Sequence, residues 1–488
     1  MTKNLLDTTQ NTRYETAQKH GGQPFAVRNP ARLTETVGTI LRGAAEVAEE
    51  AVENAGKAFA SWGALGAHER AARLSGAADA IDAHRDALAE LLTREHGKVL
   101  ADATAEIANT AKTIRYYAGL ADYFEREVIT TDTRGRMIER RAPMGIVAVI
   151  VPWNYPVLLA TLMFAPALLA GNTVVLKLPE NAPLALSAVL AHLESHLPEG
   201  VLNVVAGRGS EVGVALTTHP KVRRVSFTGS TETGRTIMRD ASANLKNLGL
   251  ELGGNDPAIV LESAKVDDKL VSGILRGAFM TSGQVCYAPK RLYVHRSHYA
   301  DFVDAFTAAA DQLVVGDGLD PEVTMGPLNN KAQLETVQAL VAASRKEGAQ
   351  VQVVGRYSDG TDPDNGWFML PTIVSGASQD AMLVQNEQFG PAVPILPFDT
   401  EDEVITKAND SEYGLAASVW SEDVDHAFNL ARRIQAGSVF VNVHRVGASD
   451  ASMPFGGFKQ SGVGRGHGEI SVDESSELQV IAERSDMH

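Results

Sequence analysis

The chain has 488 residues, 44% hydrophobic and 21% charged, a balance that excludes a disordered or fibrous protein, and it is too long for one ordinary core. Its 60 Asp and Glu against 44 Lys and Arg leave a net charge of -16, which sets the surface against nucleic acid and anionic membrane and leaves small neutral or cationic partners. The single cysteine, Cys286, excludes an intrachain disulfide and a Cys-based zinc or iron–sulfur centre; no metal site is expected, and a reducing cytoplasm suits the chain.

The N-terminal MTKNLLDTTQ lacks the apolar run of a signal peptide, and RSDMH at the other end is no retention or lipidation signal, so the cytoplasm is the expected location. Residues 46–126 carry apolar side chains at helical spacing and read as packing helices. From Ala142 to Leu176 no residue is charged, a length that could cross a bilayer of roughly 30 Å. Pro152, Asn154 and Pro156 interrupt it, however, and predict a buried strand over 145–151, a sharp turn and a buried helix over 157–170. Short β-rich runs (GIVAVIV, TVVLK, LNVVAG, VRRVSFTG) then alternate with helical stretches, the pattern of a doubly wound parallel sheet. Beyond residue 255 the alternation starts again (AIVLE, FVDAFTAAADQL, VQVVG, SVW, SVFVNV) and predicts a second α/β domain; no internal repeat or low-complexity linker is visible.

In such a sheet a ligand lies beyond the carboxyl ends of the strands. Those positions hold Pro152-Trp153-Asn154-Tyr155-Pro156, then Lys177 and Glu180, then a GxGxxxG run from Gly207 through Gly209 to Gly213, then Thr228-Gly229-Ser230. Each glycine pattern alone is a common turn, but Gly229 and Ser230 at a helix start would offer donors to a phosphate, and Lys177 with Glu180 could meet ribose hydroxyls. The acid at 180 favours NAD over NADP by charge.

A lone cysteine is most often an inert buried hydrophobe. Cys286 nevertheless follows Ser282-Gly283-Gln284, outside any periodic apolar run, and a helix starting there would favour its thiolate. No histidine stands in a recognisable hydrolase pairing with it. Glu251, in LELGG, is either a solvated strand-end acid or a general base whose pKa is raised by burial between Leu250 and Leu252.

PWNYP, KLPE, FTGSTETG, LELGG, GQVC, EQFGP and PFGGFKQSGVGR stand in the order and approximate spacing of the aldehyde dehydrogenase superfamily, which the chain resembles over nearly its whole length. The resemblance implies an aldehyde dehydrogenase-like α/β fold. Its expected parts are a Rossmann-type NAD-binding domain (1–122 and 144–252), an α/β catalytic domain (253–469) and a small β oligomerisation arm (123–143 and 470–488), with assembly into homodimers or homotetramers. It implies Cys286 as nucleophile, Glu251 as base, and Asn154 with the Cys286 amide as oxyanion hole. For NAD, with NADP possible, it implies contacts from Val151, Pro152, Trp153, Lys177, Glu180, Gly209, Gly213, Phe227, Gly229, Ser230, Leu252, Glu387 and Phe389. A glutamate at 251 is absent from members that pass the acyl group to coenzyme A, so a carboxylic acid product is expected.

Three departures stand out: Leu178 where proline is usual, Gly466 where glutamate is frequent, and a long segment over 443–453. Tyr155, Leu159, Leu162, Val285, Tyr287 and Phe455 are expected to line the substrate tunnel; being apolar or aromatic, they point to an aromatic or medium apolar aldehyde. Arg445 is either a solvated loop residue or a receiver of a carboxylate, which would make the substrate a semialdehyde. A catalytically silent protein of this fold and a thiol-dependent acyltransferase or hydrolase are the alternatives from other classes; the joint presence of Cys286, Glu251 and Asn154 weighs against the first, the cofactor residues against the second.

Overall fold

The structure is a computed structural model that describes residues 16–133, 135–448 and 450–484; the first 15 residues of the expected NAD-binding domain and the last four of the arm lie outside the described residues. Helices Ala45–Ala64, Ala67–Ala83, Arg85–His96 and Leu100–Ala118 occupy the region expected to be helical. Their buried faces follow the helical period, as with Leu74, Ala77, Ala78 and Ile81, all fully buried.

The charge-free stretch resolves into the strand Ile146–Ile150 and the helix Pro156–Leu169. Pro156 opens that helix, where a missing N–H costs nothing. Apolar on nearly every side, the helix is buried in the main core beside the helices above, so protein takes the place of lipid. No helix among the described residues is long and apolar enough to cross a membrane.

One six-stranded sheet runs in the order 462–463, 247–251, 222–228, 146–150, 173–177, 202–205. Its five long strands are parallel, and chain order reverses between Ile146–Ile150 and Val222–Thr228. A ligand crevice is expected beyond the carboxyl ends at such a reversal. The turn Pro152–Tyr155 and the pair Gly229-Ser230 follow those two strands.

A second sheet of seven strands runs in the order 350–353, 372–375, 392–398, 289–295, 256–260, 416–420, 438–441; all pairings are parallel except that of its 350–353 edge. Strands 128–132, 135–143 and 476–484 form a separate antiparallel sheet. Two boundaries differ from expectation. The Gly462–Val463 strand, expected in the catalytic domain, pairs with Leu250 and Glu251 on the edge of the first sheet. The Ile470–Glu474 helix, expected in the arm, instead packs beside the Pro156–Leu169 helix, with Ser471 accepting from the Tyr117 hydroxyl at 3.2 Å. Sequence composition does not mark either crossing because both segments are short and held by tertiary contacts.

Candidate active site at the junction of the two sheets

The link from the first sheet to the second is Glu251-Leu252-Gly253-Gly254-Asn255, and its glycines are there for close approach. A Cβ on Gly254 would stand 2.7 Å from the Cys286 carbonyl oxygen, and one on Gly253 2.6 Å from Glu387 Oε2. Gly254 N donates to Glu387 Oε1 at 3.1 Å. LELGG, Cys286 and EQFGP therefore meet at one point.

The segment before Cys286 departs from expectation. The helix Asp268–Phe279 ends seven residues short of the sulfur, and no helix starts there; Thr281, Ser282 and Gly283 all have positive φ (51°, 59° and 74°). Two non-glycine residues in that region cost of order 1–3 kcal/mol each, a strain found at functional sites. It is held by Thr281 Oγ1 to Asp102 at 3.2 Å, by the Tyr155 hydroxyl against Thr281 Oγ1 at 2.8 Å, and by Ser282 Oγ donating to Gly326 O at 2.8 Å. Without a helix N-terminus the thiolate loses the expected support. Burial pushes the half-buried Cys286 thiol up to about 12, Lys290 pulls it back, and Glu387, Asp256 and Glu251 add to the rise.

Asn154 is buried, its Nδ2 donating to Gln284 O at 3.0 Å, two residues before Cys286. Its turn is clamped from below by a fully buried ion pair, Lys98 Nζ to Glu106 Oε2 at 2.6 Å. Lys98 also donates to Asn154 O at 2.8 Å and lies over the Tyr155 ring, 3.8 Å from its centroid. The other Glu106 oxygen accepts from Val157 N and Leu158 N at 2.9 and 3.2 Å and so caps the helix behind the turn. This clamp was not foreseen. The available signal was an acid sharing the buried helical face of Ala103, Ile107 and Thr110.

Glu251 is no solvated strand end. Burial raises its pKa to about 8, moderated by Arg465, and its Oε2 is buried with no hydrogen-bond partner. The carboxylate borders a cavity of about 50 Å³ shared with Leu162, Met163, Ser226, Arg465 and Gly466. Gly466 answers the departure seen in the sequence: a side chain there would begin 3.9 Å from Glu251 Oε1. Leu162, expected in the tunnel, lines this cavity at Glu251.

On the other side Tyr155, Val285 and Ala288 form a small apolar cluster with Leu159, Tyr287 and Val446 around it. The Tyr287 and Phe455 rings lie 5.4 Å apart, and Phe455 stacks on His467 at 5.0 Å. Val446 and His467 are additions to the expected set. Arg445 Nη1 reaches only Val446 O, at 3.4 Å, and no carboxylate pairs with it among the described residues. His444, buried behind them, bridges Ser418 Oγ and Tyr287 O at 2.9 Å each; burial lowers its pKa to about 3, so it stays neutral.

The expected cofactor residues gather along the crevice. Glu180 Oε1 accepts from Gly209 N at 2.9 Å, and burial lowers the Lys177 pKa to about 8, with Glu180 opposing. Cβ atoms on Gly209 and Gly213 would stand 3.8 Å from Glu180 Oε1 and 3.9 Å from Lys177 Cδ, filling the space between this acid and this amine. Ser230 caps the Thr231–Ala241 helix through its hydroxyl, and Gly229 leaves room for the Phe227 ring. The Trp153 and Phe389 rings meet edge-on at 5.5 Å, setting EQFGP across from the turn at Pro152. Val151, Phe227 and Leu252 are buried in the apolar core. Lys177 and Glu180, with Gly209 and Gly213 beside them, offer an amine and a carboxylate that fit the ribose hydroxyls of a dinucleotide.

Two α/β sheets, a thiol at their junction and strand ends at a chain reversal are the features that a dinucleotide-dependent oxidoreductase requires. The aldehyde dehydrogenase family model matches residues 16–481. A betaine aldehyde dehydrogenase from Vibrio vulnificus is 38% identical over 92% of both chains. A Sinorhizobium fredii protein named "Probable succinate-semialdehyde dehydrogenase (NADP+)" is 39% identical over 94% of this chain and 92% of its own. The crystal structure of a betaine aldehyde dehydrogenase from Staphylococcus aureus with NAD+ superposes with a TM-score of 0.91, at 35% identity, over 96% of this chain and 92% of that one. The chain belongs to the aldehyde dehydrogenase family, whose members oxidise aldehydes with NAD(P).

Proposed function

We propose that Cys286 is the nucleophile, Asn154 an oxyanion donor and Glu251 the general base of aldehyde oxidation to a carboxylic acid. The observation that carries this reading is the convergence of three distant segments: Asn154 bonded to Gln284 O, and the Glu251 link packed through Gly254 against Cys286 O.

Cys286 gives up its proton to water and the thiolate sulfur adds to the aldehyde carbon, forming the C–S bond while the carbonyl π pair moves to oxygen. The Asn154 amide and the Cys286 N–H stabilise that oxyanion; loss of one such donor costs about 3–4 kcal/mol. Lys177, Glu180, the glycines, Ser230, Glu387 and Phe389 would hold NAD, which would supply the acceptor for the hydride whose loss from the thiohemiacetal carbon converts it to a thioester on Cys286. Ionised Glu251 takes a proton from water, whose oxygen adds to the thioester carbon; the C–S bond breaks and the acid departs. A cavity of about 50 Å³ at Glu251 exceeds the roughly 10–15 Å³ a water molecule needs.

The aromatic and aliphatic lining from Tyr155 to Phe455 supports an aromatic or medium apolar aldehyde. Arg445, part-buried without an acidic partner among the described residues, supports a second reading, a semialdehyde whose carboxylate it receives. Glu180, fixed by Gly209 N, supports NAD over NADP. Kinetics with benzaldehyde, hexanal, succinic semialdehyde and betaine aldehyde, each with both cofactors, decide among these. Highest kcat/KM for benzaldehyde or hexanal with NAD is expected. Preference for the semialdehyde, abolished by Arg445→Ala, overturns the apolar reading, and NADH formation by Cys286→Ser overturns the mechanism.

A second copy of the chain completes the assembly in this reading. Val128, Ile129, Leu478, Val480 and Ile481 leave the three-stranded sheet with exposed apolar side chains, and Ser438–Val441 is an open edge of the second sheet.

A further inference from the structure

Lys290, four residues after the sulfur, is a buried cation that the mechanism above leaves unused. Only 3% of its side chain is exposed. Its Nζ donates to Val285 O at 2.9 Å and to Cys286 O, and stands 3.6 Å from Glu387 Oε1. The Val285 carbonyl and the Cys286 N–H belong to one peptide group, and that N–H is the backbone donor of the oxyanion hole. A cation bonded to an amide oxygen draws electron density toward it and makes the N–H at the other end a stronger donor. Two bonds from one ammonium also fix the tilt of the peptides on both sides of the Cys286 Cα.

We propose that Lys290 is a positioning residue of the nucleophile, holding and polarising the Val285–Cys286 peptide and supplying the positive charge that Cys286 needs to ionise. The inference rests on Cys286 being the nucleophile. Among the described residues the other charged groups bearing on the sulfur are acids: Glu251 from the edge of the first sheet, Asp256 from the Asp256–Val260 strand, and Glu387 from the EQFGP loop. The preceding helix ends at Phe279, so no helix N-terminus performs this task. Tyr287 and His444, the remaining titratable neighbours, bring no positive charge, since burial holds the first as a phenol and the second as a neutral imidazole.

Because Cys286 is the sole cysteine, iodoacetamide reads its ionisation directly in the full-length enzyme. Lys290→Gln, Lys290→Met and Lys290→Arg are compared for the rate of alkylation at one fixed, mildly alkaline pH and for the rate of the first NADH turnover. Loss of the charge should slow alkylation roughly tenfold, the fall in thiolate fraction that one pKa unit gives, and slow the first turnover roughly tenfold, within the range of a weakened oxyanion donor, with Lys290→Arg restoring most of both. Folded Lys290→Gln with an unchanged alkylation rate and first turnover overturns the proposal; should Lys290→Met fail to fold, the Gln and Arg variants decide it alone. Cys286→Ser separates the two readings: if it still forms NADH the nucleophile reading falls, whereas an inactive Cys286→Ser beside an unaltered Lys290→Gln removes only the role of Lys290.

Discussion

Replacing Lys98 by Met tests whether the turn bearing Asn154 is held from beneath. The substitution removes the 2.6 Å bond to Glu106, the 2.8 Å bond to Asn154 O and the cation over Tyr155, and leaves a carboxylate that is fully buried. Breaking a buried pair from one side costs about 3–5 kcal/mol. Glu106 keeps its two bonds to Val157 N and Leu158 N, which places the expected loss near the lower bound, about 3 kcal/mol, a large part of a typical total of 5–15 kcal/mol. Urea unfolding should show a clear fall in midpoint at unchanged slope. Activity should fall further than stability explains, because a 1 Å displacement of a reacting group costs on the order of 100-fold in rate. The double variant Lys98→Met, Glu106→Gln should regain part of the stability, since a neutral amide oxygen that can still accept from Val157 N and Leu158 N replaces an unpaired buried carboxylate, yet not the kcat, since Asn154 O remains without its donor. A Lys98→Met enzyme with wild-type midpoint and kcat within twofold would refute the clamp.

Glu251→Gln should give one burst of NADH per active site with little turnover, read by stopped-flow absorbance; loss of the burst would make Glu251 necessary before hydrolysis. With the Glu251 pKa raised to about 8, the base form accumulates as pH rises, so wild-type turnover limited by hydrolysis should climb through pH 8. The same shift has a stability consequence: tight proton binding by the folded state stabilises it fully below about pH 4.5, and that contribution is lost as pH rises through about 8. Glu251→Gln cannot ionise and should therefore outlast the wild type in thermal melts at pH 9. Gly466→Glu would set a like charge against Glu251 and should move the rising limb of kcat up by about one pH unit, an unmoved limb counting against the geometry. Val480→Asp, on the exposed apolar arm, should lower the assembly mass measured by light scattering while leaving the melting of the chain nearly unchanged.

Local pattern carried most of the architecture. Alternating β runs and helical spacing are properties of consecutive residues, and they located the core of the first sheet, four of the seven strands of the second, the buried helix after Pro156 and the loops at strand ends. A charge-free run cannot say whether lipid or protein surrounds it, but two prolines and an asparagine could. The motifs likewise told which residue types share the site, because glycines at 253 and 254, an acid at 251 and a thiol at 286 are chemically unusual in their settings.

What escaped the sequence was pairing at a distance. The helix expected to start beside Cys286 does not form: the preceding helix ends at Phe279, and Thr281, Ser282 and Gly283 are held left-handed by Asp102, Tyr155 and Gly326, contacts that no window of neighbouring residues contains. Lys98 and Glu106 pair beneath the Asn154 turn, a contact between two segments and a buried loop that no local pattern contains. Gly466 was an unexplained departure until Glu251 Oε1 came within reach of the space it leaves. Composition and motif order thus determined the family and the fold class, since these depend on residue chemistry and local period, and they supplied the candidates for the reacting groups. Only the tertiary structure decided which charge faces the sulfur, which oxygen of Glu251 stands without a partner and what holds Asn154 in place, because burial and Coulomb interaction depend on distances through space and not along the chain.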